Sequence, residues 1–171
     1  GLDKVFIIPP FQRNYEWSKE QCKKLFEDIV QAAGRNQLHF CGSIVFQPLA
    51  PVKGINNSII IDGQQRLTTI YILIKALYDM AANNAEKVAP EQALFNKDQF
   101  GQYTIDDTSK MKLKPAKDNN DQLLSLIHGK FDKLDKSCEI YRNYTYFCEM
   151  IKEQQNKGMT VSDIYRGISL L

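Results

Sequence analysis

A β-branched apolar run passes into an apolar helical pattern through a single Asp-Gly step, and this junction constrains the fold more than any other feature. Residues 58–61 read Ser-Ile-Ile-Ile, which is typical of a strand buried on both faces. Asp62 and Gly63 follow, and from Leu67 to Met80 apolar residues cover nearly every face of a predicted helix. The chain must therefore build a sheet with a buried helix lying back on it.

Polar residues at this junction favour phosphate binding. A helix N-terminus presents unpaired N–H groups and the positive end of its dipole, and glycine lets an anion approach the backbone. Arg66 can grip phosphate oxygens, and the hydroxyls of Thr68 and Thr69 are expected in or near the first turn. Asp62 can hold a divalent cation or cap the helix. Asp-Gly is also a common turn dipeptide, but a turn does not need the three long polar residues at 64–66.

A second polar segment, residues 8–17, reads Ile-Pro-Pro-Phe-Gln-Arg-Asn-Tyr-Glu-Trp. For Tyr15 and Trp17 the favoured interpretation is that they seal the core, with Trp17 as a hydrophobic staple before a helix cap. Gln12 and Arg13 are harder to explain by folding. They predict a pair that lines one cleft together with Arg66 at the start of the second helix, and a surface arginine stacked on an aromatic ring is the alternative.

The remaining pattern predicts an α+β fold followed by helices alone. Strands are expected at 5–8, 40–46, 58–61 and 111–114, and helices at about 18–33, 66–82, 121–128, 137–156 and from residue 160. Ser18 with Gln21, and Thr160 with Asp163, have capping-box spacing. We therefore divide the chain into a core at residues 1–82, a connection at 83–117 and a helical segment at 118–171, and we expect it to be cut from a longer protein.

Composition excludes several classes of protein. The 22 basic and 20 acidic residues of the 171-residue chain give a net charge of +2, too small for a duplex-binding footprint. For Lys110, Lys112, Lys114 and Lys117 a solvated face is favoured over a DNA groove. No apolar run approaches the roughly 20 residues of a membrane span. The four cysteines show no CxxC pair, which favours reduced thiols and a cytoplasmic protein.

The sequence lacks the motifs of several other kinds of catalytic site. His39 and His128 have no metal-ligand spacing with cysteine or carboxylate, and two histidines are too few for an HNH nuclease. There is no Walker lysine motif and no serine nucleophile elbow. A nuclease, if one is involved, is expected in another domain or chain.

Three segments together resemble one family, the N-terminal domain of GmrSD-like restriction systems. The segments are Pro-Pro-Phe-Gln-Arg-Asn-Tyr-Glu-Trp at 9–17, Phe-Cys-Gly-Ser at 40–43 and Asp-Gly-Gln-Gln-Arg at 62–66. That family is similar to ParB and sulfiredoxin, whose shared fold binds nucleotide phosphates at a comparable strand-to-helix glycine. The resemblance implies a ParB-like small mixed sheet with flanking helices.

The resemblance also implies a function: an NTP-binding and hydrolysing regulatory domain of a bacterial restriction protein active in phage defence. Its catalytic residues would be Asp62, Gln64, Gln65 and Arg66. Its nucleotide-binding residues would be Gln12, Arg13, Gly63, Arg66, Thr68 and Thr69. The implied cofactors are an NTP and Mg²⁺, the latter held by Asp62, and the implied partners are DNA, through the full-length protein, and an HNH-type nuclease domain, C-terminal or separate. The alternative is a non-catalytic ParB-like module that binds DNA or a partner.

Overall fold

One small mixed sheet carries the candidate site. The computed structural model describes residues 3–52, 54–104, 107–115 and 120–171. The strands are β1 (Lys4–Ile7), β2 (Val45–Pro48), β3 (Asn56–Asp62) and β4 (Leu113–Lys114), in the order β2-β3-β1-β4. β1 pairs in parallel with both β3 and β4, and β2 pairs antiparallel with β3. The predicted α+β class is confirmed.

Helices supply the rest of the described structure. They are α1 (Lys19–Arg35), α2 (Gln64–Met80), α3 (Asn84–Leu94), α4 (Asn120–Ile127), α5 (Glu139–Asn156) and α6 (Val161–Ile168), with short 3₁₀ turns at Thr108–Lys110 and Phe131–Lys133. Both predicted capping boxes are present, at the N-termini of α1 and α6. Within the described ranges, no helix combines the length and apolar character that a membrane span requires.

Helix α2 is the centre of the core, as its apolar pattern predicts. Ile72, Leu73 and Leu77 are fully buried, and the helix packs against both α3 and α5. Even its one internal lysine is buried: the ammonium of Lys75 contacts the Asp79 carboxylate at 2.8 Å. Truncating a core leucine of this kind to alanine typically costs about 2–5 kcal/mol. The N-terminus of α2 therefore belongs to a helix that is packed into the hydrophobic core.

Two strand predictions are wrong in detail. The strand expected at residues 40–46 begins only at Val45, because Gly42 adopts a φ of 110° and the chain before β2 is irregular. The prediction that β3 buries both faces also fails. Ile60 is fully buried against the helices, whereas 49% of Ile61 is exposed, although β3 lies inside the sheet. The β-branched run reflects an interior strand with one buried face.

The segment predicted as a connection contains two regular elements. It holds α3 and β4, and β4 completes the sheet beside β1. The boundary predicted at residues 117–118, and Lys117 itself, lie outside the described residues. One hydrophobic cluster includes side chains from Ile8 to Ile164, so residues from all three predicted segments share a core.

Candidate functional site

The N-terminus of α2 has no side-chain cap. Gly63 occupies the cap position with a φ of 88°, and the first helical hydrogen bond runs from the Leu67 N–H to its carbonyl. The Asp62 carboxylate accepts a hydrogen bond at 2.8 Å from the Gly63 N–H and does not reach into the helix. The N–H groups of residues 64–66 therefore have no intrahelical acceptor and remain available to a ligand.

An open cleft of about 250 Å³ lies at this helix end. Its lining comes from the 9–17 and 62–66 segments, with one residue of the 40–43 segment. The lining residues are Arg13, Trp17, Ser43, Asp62, Gly63, Gln64, Gln65 and Arg66. The sequence-based expectation that Arg13 and Arg66 share a cavity agrees with this geometry. Arg13 is exposed and forms no hydrogen bond or ion pair with the described residues, so its guanidinium is free to bind a ligand.

Two glycines allow the 40–43 segment to pack against the 62–66 segment. The guanidinium of Arg66 lies on Gly42, and its Nη1 donates a hydrogen bond at 3.0 Å to the Ser43 carbonyl. A β-carbon on Gly63 would lie 3.0 Å from the same Ser43 oxygen and 3.1 Å from Ile44. Both sites have positive φ, which favours glycine, and a β-carbon would meet backbone atoms at Gly63 and the Arg66 side chain at Gly42. Sequence reasoning left Gly42 and Ser43 out of the site.

The two glutamines at the helix start have different environments. The Gln65 amide nitrogen donates at 2.7 Å to the Asn14 carbonyl, and its oxygen accepts at 2.9 Å from the Glu16 N–H. Gln64 is only 9% exposed, lines the cleft and forms no side-chain hydrogen bond with the described residues. The Gln64 amide is not among the buried polar atoms that lack a partner, so it keeps access to the cleft and can form hydrogen bonds with a ligand or with water. The catalytic role expected for Gln65 stays a prediction that its contacts do not favour.

Thr68 and Thr69, expected in or near the first turn of α2, lie just beyond it. Because the helix begins at Gln64, both threonines fall in its second turn. They are 5% and 0% exposed, and neither lines the 250 Å³ cleft. The Thr69 hydroxyl donates at 2.8 Å to the Gln65 carbonyl, which is a structural contact within the helix.

A chain of buried hydrogen bonds anchors the 9–17 segment to helices α2 and α5. Asn143 on α5 donates at 3.0 Å to the Tyr15 hydroxyl, and that hydroxyl is 2.8 Å from Thr69 Oγ1. Since the single Thr69 proton goes to the Gln65 carbonyl, the Tyr15 proton must go to Thr69. Burial raises the pKa of Tyr15 far above its usual value, so it remains a neutral donor. The same Asn143 amide donates at 2.8 Å to the Trp17 carbonyl.

Asn143 was missed by the sequence analysis, although a signal existed. It is a polar residue on the apolar stripe of α5, between Ile140 and Phe147, and it is 1% exposed. A polar residue on such a stripe predicts a buried hydrogen-bond partner somewhere in the fold. Nothing in the sequence indicates that this partner lies 128 positions earlier.

The other two predicted site residues have clear but limited roles. The Gln12 amide donates a hydrogen bond at 3.3 Å to the Ile61 carbonyl, so it links the 9–17 segment to the end of β3. Gln12 does not line the cleft. Asp62 is exposed at the rim of the cleft. The described residues contain no group of three or more His, Cys, Asp or Glu side chains suited to a metal ion. A cation at Asp62 would therefore need phosphate oxygens and water as its other ligands, a pattern that suits Mg²⁺.

A larger cavity of about 430 Å³ lies elsewhere, between the start of α1 and α5. Three of its charged groups already have partners. Arg142 contacts Glu139 at 3.0 Å, and the Lys19 ammonium lies 4.4 Å from the centre of the Tyr146 ring. The smaller cleft at α2 has the unpaired donors, so volume alone is a poor guide here.

The fold and the cleft define a small α+β domain in which three polar segments meet at an uncapped helix N-terminus. The family model of the GmrSD restriction endonuclease N-terminal domain matches residues 1–166, and the chain therefore belongs to this family. It is a domain of a restriction-system protein. A comparison with curated proteins gave no match.

Proposed function

We propose that this domain binds and hydrolyses a nucleoside triphosphate and thereby regulates a restriction protein that acts in phage defence. The supporting observation is that an uncapped helix N-terminus, two arginines and the amide of Gln64, which has no hydrogen-bond partner among the described residues, all lie in one cleft. Fixed N–H groups and guanidinium groups are the usual ligands of phosphate. DNA cleavage belongs in this proposal to an HNH-type nuclease domain, C-terminal or on a separate chain.

Each side chain has a role that follows from its contacts. Arg13 and Arg66 bind phosphate oxygens together with the N–H groups at the start of α2. Asp62 holds Mg²⁺ against the same phosphates. Gln64 orients the water that attacks the terminal phosphorus, so that the products are a nucleoside diphosphate and inorganic phosphate. Gln65 positions the 12–17 segment through the Asn14 and Glu16 backbone.

Calorimetry with each common NTP and Mg²⁺ tests the phosphate site. Arg13→Ala is the sharpest variant, because the exposed Arg13 side chain contributes no hydrogen bond to the fold. Losing one charge-assisted contact of about 1.5–3 kcal/mol predicts roughly 10- to 150-fold weaker binding. Arg66→Ala should act in the same direction, and Arg35→Ala, an exposed arginine at the end of α1, is the control.

Two results would overturn the proposal. One is a wild-type protein that binds no NTP, and the other is an Arg13→Ala and an Arg66→Ala variant that both bind as tightly as the wild type. In the alternative, a binding module without turnover, DNA or a partner subunit occupies the domain. Affinity for DNA that falls steeply with salt while NTP is neither bound nor hydrolysed would establish that alternative.

A further inference from the structure

A second open cleft adjoins the first. It has a volume of about 220 Å³ and is lined by Trp17, Gln21, Lys24, Leu25, Asp28, Cys41 and Arg66. Trp17 and Arg66 line both clefts, so the two cavities are neighbours. A molecule bound at the start of α2 can extend past Arg66 into this second cleft.

The sizes favour one ligand that occupies both. Pockets for small organic ligands and cofactors usually measure roughly 300–1,000 Å³. Neither the 250 Å³ cleft nor the 220 Å³ cleft reaches that range alone, but the two joined do. The 250 Å³ cleft contains the candidate phosphate-binding groups, and the 220 Å³ cleft has a lining that is partly aromatic and apolar.

The second cleft combines an aromatic ring and apolar floor with polar groups. Trp17 is half-buried, and its backbone carbonyl accepts a hydrogen bond from the buried Asn143 amide at 2.8 Å, which anchors the backbone that carries the ring. Leu25, which is 4% exposed, supplies apolar surface. Lys24 offers a donor, and Asp28, whose carboxylate lies 3.5 Å from His39, offers an acceptor. A flat heterocycle with donors and acceptors on its edge suits this lining.

We propose that this second cleft, between Trp17 and Cys41, is the nucleobase subsite of the domain, with the base stacked on Trp17 and its polar edge facing Lys24 and Asp28. This inference rests on the proposed function, because it places the phosphates of the same nucleotide at the start of α2. Arg66 then lies between the phosphates and the base.

Trp17 is the only tryptophan in the chain, so its fluorescence reports on the subsite directly. The experiment compares a nucleoside triphosphate with inorganic tripolyphosphate, both with Mg²⁺, by calorimetry and by fluorescence. We expect both to bind, and the nucleotide to quench Trp17 much more strongly than tripolyphosphate, because only the nucleotide stacks a base on the ring. Free N-acetyltryptophanamide at the same nucleotide concentrations corrects for absorption of light by the base.

Alkylation of Cys41 supplies an independent readout. The nucleotide should protect Cys41 from N-ethylmaleimide at least several-fold, and tripolyphosphate should not. Cys138 and Cys148, which are half-buried and lie at α5, are internal references in the same peptide map. A Trp17→Leu variant keeps apolar bulk, and it should lose roughly 5- to 150-fold in affinity for the nucleotide and much less for tripolyphosphate, which makes no stacking contact.

The outcomes separate this inference from the function on which it rests. Nucleotide binding without quenching or Cys41 protection, or an equal loss of both ligands in Trp17→Leu, would overturn the nucleobase subsite and leave the phosphate site intact. Failure of both ligands to bind the wild-type protein would overturn the proposed function, and the subsite with it.

Discussion

The guanidinium of Arg66 lies directly on the backbone of Gly42. A β-carbon at residue 42 would fall 2.4 Å from Arg66 Nη2, well inside van der Waals contact. The 40–43 segment thus holds the Arg66 side chain, which the 62–66 segment contributes to the cleft. A glycine 24 positions away is therefore part of the arginine's geometry.

Gly42→Ala should displace Arg66 and weaken NTP binding nearly as much as Arg66→Ala, by roughly 10-fold or more. Gly101→Ala is the control, because Gly101 also has a positive φ, 76°, but its added β-carbon meets nothing within 4 Å. Calorimetry gives the affinities and urea denaturation gives the stabilities. Equal affinities in the two variants would contradict a specific Gly42–Arg66 contact.

The two adjacent glutamines should fail in different ways. Gln64→Ala should lower the rate of NTP hydrolysis by about 100-fold, because a misplaced water costs on that order, while NTP affinity changes little. Gln65→Ala should instead lower the free energy of unfolding by about 1–2 kcal/mol through two lost hydrogen bonds, and should weaken binding by loosening the Asn14–Glu16 backbone. Phosphate release and urea denaturation separate these effects, and identical profiles would refute the assignment.

The packing of α6 on α1 depends on a second close glycine. A β-carbon on Gly167 would lie 2.3 Å from the Ile29 carbonyl oxygen, so Gly167→Ala should cost at least about 1–3 kcal/mol of unfolding free energy. Gly34→Ala, in an open position on α1, should instead stabilise the protein by about 0.5–1 kcal/mol. Two changes of the same sign in thermal or urea unfolding would contradict this packing.

The cap of α6 predicts a pH dependence. Hydrogen bonds from the Thr160 backbone and hydroxyl, together with Arg166, lower the pKa of Asp163. Its stabilising effect is therefore complete above the unfolded value of about 3.9 and is lost as the pH falls through the lower folded value. Asp163→Asn should reduce stability at pH 7 by less than about 1 kcal/mol, since the carboxylate is partly exposed and solvent screens it, and the difference should vanish towards pH 2. A difference that is constant with pH would contradict the cap.

Local patterns were enough to predict most of the fold, because the signals are short-range. The capping residues Ser18 and Thr160 begin α1 and α6 as expected, and the apolar pattern after Gly63 identified α2 as the central helix. The strand expected at residues 40–46 failed because a glycine with positive φ interrupts an apolar run. Such a conformation leaves no trace in the periodicity.

The candidate site was predicted less completely, because side-chain partners are long-range. Arg13 and Arg66 were expected in one cavity, and they line one. The Gln65 side chain forms hydrogen bonds with the Asn14 and Glu16 backbone some 50 positions away, whereas the Gln64 side chain forms none with the described residues. Composition and spacing do not distinguish two neighbouring glutamines.

The central claim is that a nucleotide binds at the start of α2. An NMR titration of ¹⁵N-labelled protein with an NTP and Mg²⁺ tests it most directly. We predict the largest shifts at the N–H groups of residues 63–66 and at the side chain of Arg13, saturating together with one affinity. Shifts concentrated instead in the 430 Å³ cavity around Tyr141 and Tyr146, with residues 63–66 unchanged, would contradict the account.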